Sequence, residues 1–110
     1  MSLTQNLEKL LAAGRDDALL RFGLGNACLR EGRAEDAALH LQAAVTHDPG
    51  YSAAWKLLGK ALTGCGRAAE AVDAYERGVR AAEAKGDAQA AREMRVFLRR
   101  LQKPPAGPGG

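Results

Sequence analysis

An internal repeat constrains this chain more than any other feature. Moving 34 residues forward from Leu24-Gly25, Ala27, Gly32-Arg33-Ala34, Ala37, Leu41 and Val45 gives Leu58-Gly59, Ala61, Gly66-Arg67-Ala68, Ala71, Tyr75 and Val79. A unit of this length cannot bury its apolar face alone, so the copies must stack on neighbours. Within the second copy, Trp55, Leu58 and Gly59 share one helical face. The glycine leaves room for another helix to approach, and that helix supplies Ala71 and, one turn later, Tyr75. No run of alternating β-branched residues competes with this reading. The chain is therefore expected to be all-α, built from helix–turn–helix hairpins.

The pattern resembles the tetratricopeptide repeat. The copy at 51–85 matches it at Trp55, Leu58, Gly59, Ala71 and Tyr75. It departs at Leu62, Gly78 and Glu83, where the family usually carries Tyr, Ala and Pro. The copy at 18–51 matches at Leu24, Gly25, Ala37, Leu41, Ala44 and Pro49, and departs at Cys28 and at Arg21, the counterpart of Trp55. The resemblance implies a right-handed α-α superhelix in which first helices line a concave groove and second helices form the convex back. It also implies a binding scaffold of the kind found as small stand-alone bacterial proteins, and no enzyme. The fold by itself does not name what is held.

Six helices are expected, at about 2–14, 17–31, 34–47, 52–64, 68–85 and 87–102, forming one domain over residues 1–103. Residues 104–110 are rich in Pro and Gly and are expected to be a disordered tail. The first helix carries Leu3, Leu7, Leu10 and Leu11, which lie 34 residues before Ala37, Leu41, Ala44 and Val45. It therefore takes the place of the second helix of a repeat whose first helix is missing, and its leucines are expected to cover the first full repeat. The sixth helix leaves the register: Gln89, Arg92 and Glu93 stand where Trp55, Leu58 and Gly59 would recur. Its stripe of Ala90, Met94, Phe97, Leu98 and Leu101, with arginines opposite, predicts a capping helix. Trp55 and Phe97 are expected to be buried anchors.

No apolar stretch is long enough to cross a membrane. The first residues lack a basic segment followed by an apolar one, which points to the cytoplasm. Cys28 and Cys65 have no metal or redox spacing; Cys28 reads as a small core residue and Cys65 as part of a Gly64-Cys65-Gly66 turn. Asp36 with His40 makes only half a metal site, and no phosphate loop or nucleophile–base pair is present, so neither cofactor nor catalysis is expected.

The net charge of +3 is unevenly placed. Residues 1–86 hold 11 basic and 11 acidic side chains, whereas residues 87–110 hold five basic and two acidic ones. The resemblance directs attention to the groove faces of the second and fourth helices, where Phe22, Asn26, Arg30, Lys56 and Lys60 are the candidate peptide-binding residues. An aromatic, an amide and paired lysines suit a peptide with an acidic segment or a C-terminal carboxylate. Asn26 matches part of the clamp with which some family members hold acidic chaperone tails, but Phe22 stands where that clamp has Lys. The alternative is self-association into a homodimer through the same surface. Arg92, Arg95 and Arg99 form a weaker basic face; without aromatic stacking residues it argues for solvent or an acidic protein before nucleic acid.

Overall fold

The structure, a computed structural model, describes residues 2–103. The expectation of a disordered tail at 104–110 lies outside the described residues. Six helices follow one another: α1 (Leu3–Ala12), α2 (Ala18–Arg30), α3 (Ala34–His47), α4 (Ser52–Gly64), α5 (Ala68–Ala84) and α6 (Ala88–Gln102). Local chemistry sets their ends. Ser2 and Gln5 form a reciprocal capping box on α1, and Asp17 accepts the Leu20 amide at 2.8 Å to cap α2. Arg33 and Arg67, the residues before α3 and α5, make no side-chain cap. Each instead reaches a first-turn carboxylate, Asp36 or Glu70, placing negative charge where the helix dipole favours it. The turn into α5 needs a left-handed residue, which Gly66 supplies at φ +76°, and the Arg67 amide then closes back on the Leu62 carbonyl at 2.9 Å.

The helices pair α2 with α3 and α4 with α5, and α6 packs on α5. The chain approaches itself most closely at the glycines of the repeat. A Cβ on Gly59 would lie 2.5 Å from the Tyr75 ring, and one on Gly25 would collide with Leu41. Gly78, where the family usually has Ala, answers a different need: a Cβ there would come within 2.8 Å of the Trp55 Cβ and press on the Met94 sulfur. Its absence lets α6 seat Met94 against α5. The core is one continuous cluster running from Cys28 and Leu41 through Trp55, Leu58 and Tyr75 to Ala91 and Met94.

Curvature follows from which helices touch. Along the stack α2 approaches α4 and α4 approaches α6, whereas α3 and α5 stay apart. The α2–α4–α6 layer is therefore the tighter, concave side, and α3 and α5 splay across the back.

Two expectations about packing need correction. The leucine stripe of α1 does not lie uniformly on the first repeat: Leu3 is 62% and Leu10 41% exposed, and the one fully buried α1 residue is Thr4, whose hydroxyl donates to Glu31. Leu7 reaches α2 beside Gly23. Among the described residues α1 packs on α2 alone, so no second helix covers Leu3 and Leu10. Phe97 is only half-buried, since among the described residues α6 packs on α5 and α4 alone, whereas Trp55 is buried as expected.

Candidate functional site

The concave layer is assembled from α2, α4 and α6, and it treats the sequence-predicted residues differently. Phe22 is half-buried, its ring stacked on Tyr51 at 4.9 Å across the α2–α4 junction. It links α2 to Tyr51, the residue that precedes α4. Asn26 and Arg30 make no side-chain hydrogen bond or ion pair among the described residues. Leu19, 64% exposed, precedes them on the same helix. At about 100° per residue, positions 19, 26 and 30 fall on one narrow stripe.

The two lysines of α4 meet α6. Lys56 pairs with Glu93, which also accepts from the Gln89 amide at 3.3 Å. The Lys56 hydrogen bond is the main reason the Glu93 carboxyl is held below its ordinary range. Lys60 has no carboxylate partner among the described residues; its ammonium stands 5.2 Å from the centre of the Phe97 ring. Arg100 stands 5.8 Å from the same ring. Beneath lies Tyr75, stacked on Phe97 at 5.6 Å, its hydroxyl pushed up to about 12 by burial. Sequence reasoning singled out Lys56 and Lys60 but missed Phe97 and Arg100 as their neighbours. The signal was present in the alignment of the α6 stripe with α4, but which α6 residue meets which lysine depends on the α5–α6 turn.

On the basic face, Arg95 is paired with Glu83, while Arg92 and Arg99 have no ion-pair partner among the described residues. The α5–α6 surface there opens a shallow space of about 270 Å³ that includes Arg92 and Arg95.

A hollow that the sequence did not announce lies on the convex back. About 540 Å³ opens between α3 and α5, with Trp55, Leu58 and Leu62 as its floor and Leu39, 70% exposed, on its lip. Its charges are matched internally, Arg67 by Glu70 and Arg77 by Asp73 at 3.1 Å. It follows from the splay of α3 and α5, which residue patterns do not encode.

The histidines join the scaffold. His40 Nδ1 lies 3.1 Å from the Arg21 guanidinium, and His47 Nε2 lies 2.9 Å from Asp16, which also takes two hydrogen bonds from Arg21. Those bonds hold the Asp16 carboxyl well below the usual carboxylate range, and burial pushes His40 below its ordinary value. Cys28 is buried and its thiol is pushed up by desolvation. Among the described residues, no three His, Cys, Asp or Glu side chains converge as a metal set would, and no helix is long and apolar enough to cross a membrane.

Stacked hairpins with glycine-mediated contacts and a concave layer of first helices define a helical-repeat protein. Residues 12–102 match the family model described as bacterial transcriptional activator domain. The chain is 54% identical over 101 residues to the TPR repeat-containing protein PA0015 of Pseudomonas aeruginosa, covering 92% of this chain and 96% of that one. Among solved structures it is similar to protein BPP2914 from Bordetella parapertussis, at 47% identity and a TM-score of 0.79, covering 94% of this chain and 90% of that one. It is also similar to the Sgt2 TPR domain from Aspergillus fumigatus, at 26% identity and a TM-score of 0.76, with coverage of 96% and 74%. The chain belongs to the tetratricopeptide-repeat family, in the form that the bacterial transcriptional activator domain model describes. Proteins of this family generally serve as protein–protein interaction scaffolds and are generally non-enzymatic.

Proposed function

We propose that this protein is a non-catalytic cytoplasmic adaptor that holds a peptide or protein segment on the concave α2–α4–α6 face. One observation carries the reading. Leu19, Asn26 and Arg30 share a stripe of α2, with an exposed leucine beside an amide and a guanidinium that no side chain among the described residues engages. An amide able to pair with a peptide backbone, next to apolar surface and positive charge, suits an extended segment with an acidic residue. Phe22, half-buried beside this stripe, holds the α2–α4 geometry through its stack on Tyr51. The test is to immobilise the wild type and a Leu19→Glu, Asn26→Ala, Arg30→Glu variant, and to identify what each retains from cell lysate. Circular dichroism checks that both are folded. Species retained only by the wild type support the groove; equal retention of the same species removes it.

Self-association is the second reading, and the exposed Leu3 and Leu10 of α1 favour it. Sedimentation would show a dimer that dissociates in a Leu3→Glu, Leu10→Glu variant. A nucleic-acid role through Arg92, Arg95 and Arg99 has less support, since Glu83 already neutralises Arg95.

A further inference from the structure

The hollow on the convex back has an apolar floor and, beside it, an apolar side chain with nothing to cover it. Trp55, Leu58 and Leu62 lie beneath about 540 Å³ of space between α3 and α5, with Ala38 and Ala74 at its sides. Leu39 stands on the α3 lip and is 70% exposed, more than any other large apolar side chain among the described residues. Each of these surfaces leaves water favourably when it finds an apolar neighbour. The hollow has room for a leucine side chain, and the surface carries one at its edge.

The charges around the hollow narrow what can fill it. Arg67 closes on Glu70, and Arg77 on Asp73 at 3.1 Å, so the four charged residues of its lining cancel in pairs. A strongly acidic or basic segment meets as much repulsion as attraction there. Other parts of the surface are biased. Arg30, Lys60, Arg92, Arg99 and Arg100 have no carboxylate partner among the described residues. Two copies facing each other through those cations would repel. The rim of the hollow imposes no such penalty on an identical surface. With an apolar knob and an apolar hollow on one face, that surface is also complementary to itself. A two-fold axis running between knob and hollow brings the Leu39 of each copy over the hollow of the other, so both contacts form at once.

We propose that two copies of this chain pair back to back, each seating Leu39 in the α3–α5 hollow of the other. The concave faces then point away from one another, and one dimer carries two of them. A scaffold of this form holds a partner that repeats its binding segment more tightly than a single face can, by raising the effective concentration of the second segment. The contact uses neither the concave face nor Leu3 and Leu10, and it stands whether or not the concave face holds a peptide. One leucine and one hollow per copy make a small contact beside the roughly 1,200–2,000 Å² of a stable interface, so the pairing is reversible, with a Kd of about 100 μM. At the low micromolar concentrations of a denaturation experiment the chain is a monomer with Leu39 in water.

The test is sedimentation equilibrium of the full chain from about 10 μM to about 1 mM, with the amide resonances of the isotope-labelled chain followed over the same dilution. The expected result is a monomer–dimer equilibrium whose shifts gather at Leu39, Gln42, Leu62 and Glu70. Leu39→Ser removes the knob, and Ala69→Phe fills the hollow from its edge. Both change exposed side chains, and circular dichroism checks that each variant is folded. Each should weaken the dimer by about tenfold or more. Mixed together, the two variants should form a heterodimer tighter than either homodimer, because one knob and one open hollow survive in the mixed pair. No dimer at about 1 mM, shifts confined to other faces, unchanged association of either variant, or no gain on mixing overturns the back-to-back pair. A dimer that Leu3→Glu, Leu10→Glu dissociates and Leu39→Ser does not overturns it too, and assigns the association to α1. Partner retention by the α2 stripe is read in a separate experiment, so the failure of either proposal leaves the other standing.

Discussion

The two repeats share a backbone register but hold their hairpins by different chemistry. In the second, Trp55 is buried between α4 and α5, donates its indole N–H to the Pro49 carbonyl at 2.8 Å, and lies under Arg77 at 5.7 Å. In the first, the same slot holds Arg21. Its guanidinium takes both oxygens of Asp16 at 2.8 and 2.9 Å and meets His40, while His47 binds Asp16 from α3. One slot is filled by apolar area, the other by a polar network around a largely covered cation. A repeat position therefore specifies a volume and a direction, and either kind of side chain can satisfy it when its own requirements are met. The expected consequence is a second repeat that resists most conditions and a first repeat that responds to pH and salt.

The largest effect should come from Trp55→Ala. Truncating a buried indole is expected to remove about 3–5 kcal/mol, measured by urea denaturation. That is a large part of a typical total of about 5–15 kcal/mol. The equivalent change Arg21→Ala should cost only about 1 kcal/mol, because its side chain retains some solvent contact and its ion pair is screened. Equal losses in the two variants would erase the distinction between the repeats.

Gly59→Ala comes next. The new methyl meets a stacked, fully buried tyrosine ring, and overpacking of this kind costs about 1–3 kcal/mol. Gly25→Ala meets Leu41, whose side chain has more rotamers available, and should cost less. A Gly25 variant less stable than the Gly59 variant would show that the first hairpin is the more tightly packed.

The pH response should be smaller and confined to the first repeat. Burial lowers the His40 pKa, with Arg21 and Arg33 acting in the same direction and Asp36 and Glu8 against it. A proton then binds the unfolded chain better. Stability from this group is present above the ordinary pKa of about 6.5 and is lost as pH falls through 6.5 toward the folded value. Asp16, also depressed, adds a further loss at pH values below its ordinary carboxylate range. Comparing denaturation midpoints at about pH 7.5 and 5.5 for wild type and His40→Gln tests the first of these. The wild type should lose more than the variant, and parallel losses would place the sensitivity elsewhere. The smallest effect is expected for Leu39→Ser on the convex lip, within about 0.5 kcal/mol, since that side chain is already in water.

What the sequence revealed followed the range of the interaction. Contacts inside a hairpin were legible, because Gly59 with Tyr75 and Gly25 with Leu41 are written at a fixed spacing and recur. The capping character of α6 was legible from its apolar stripe. The partners of that stripe were not. Lys56 meets Glu93 and Lys60 meets Phe97 across 37 residues of sequence, and the match is set by the length of α5 and the turn after it. The leucines of α1 gave the correct repeat position but the wrong burial, since register shows where a side chain points and not whether a neighbour is there. Phe22 was recognised as an unusual groove residue, but its stack on Tyr51 needed the α2–α4 spacing to be seen.

The ends of the stack also differ, and α6 shows how. It begins at Ala88, 36 residues after Ser52, so Ala91 and Met94 take the places of Trp55 and Leu58, and Arg95 takes that of Gly59. A long charged side chain, tied to Glu83, now stands where a closing helix would need bare backbone. At the other end Leu3 and Leu10 remain open to an added helix. An engineer, or a gene duplication, lengthening this array would find it growing in one direction only: new repeats join in front of α1, and Arg95 is the stop signal behind.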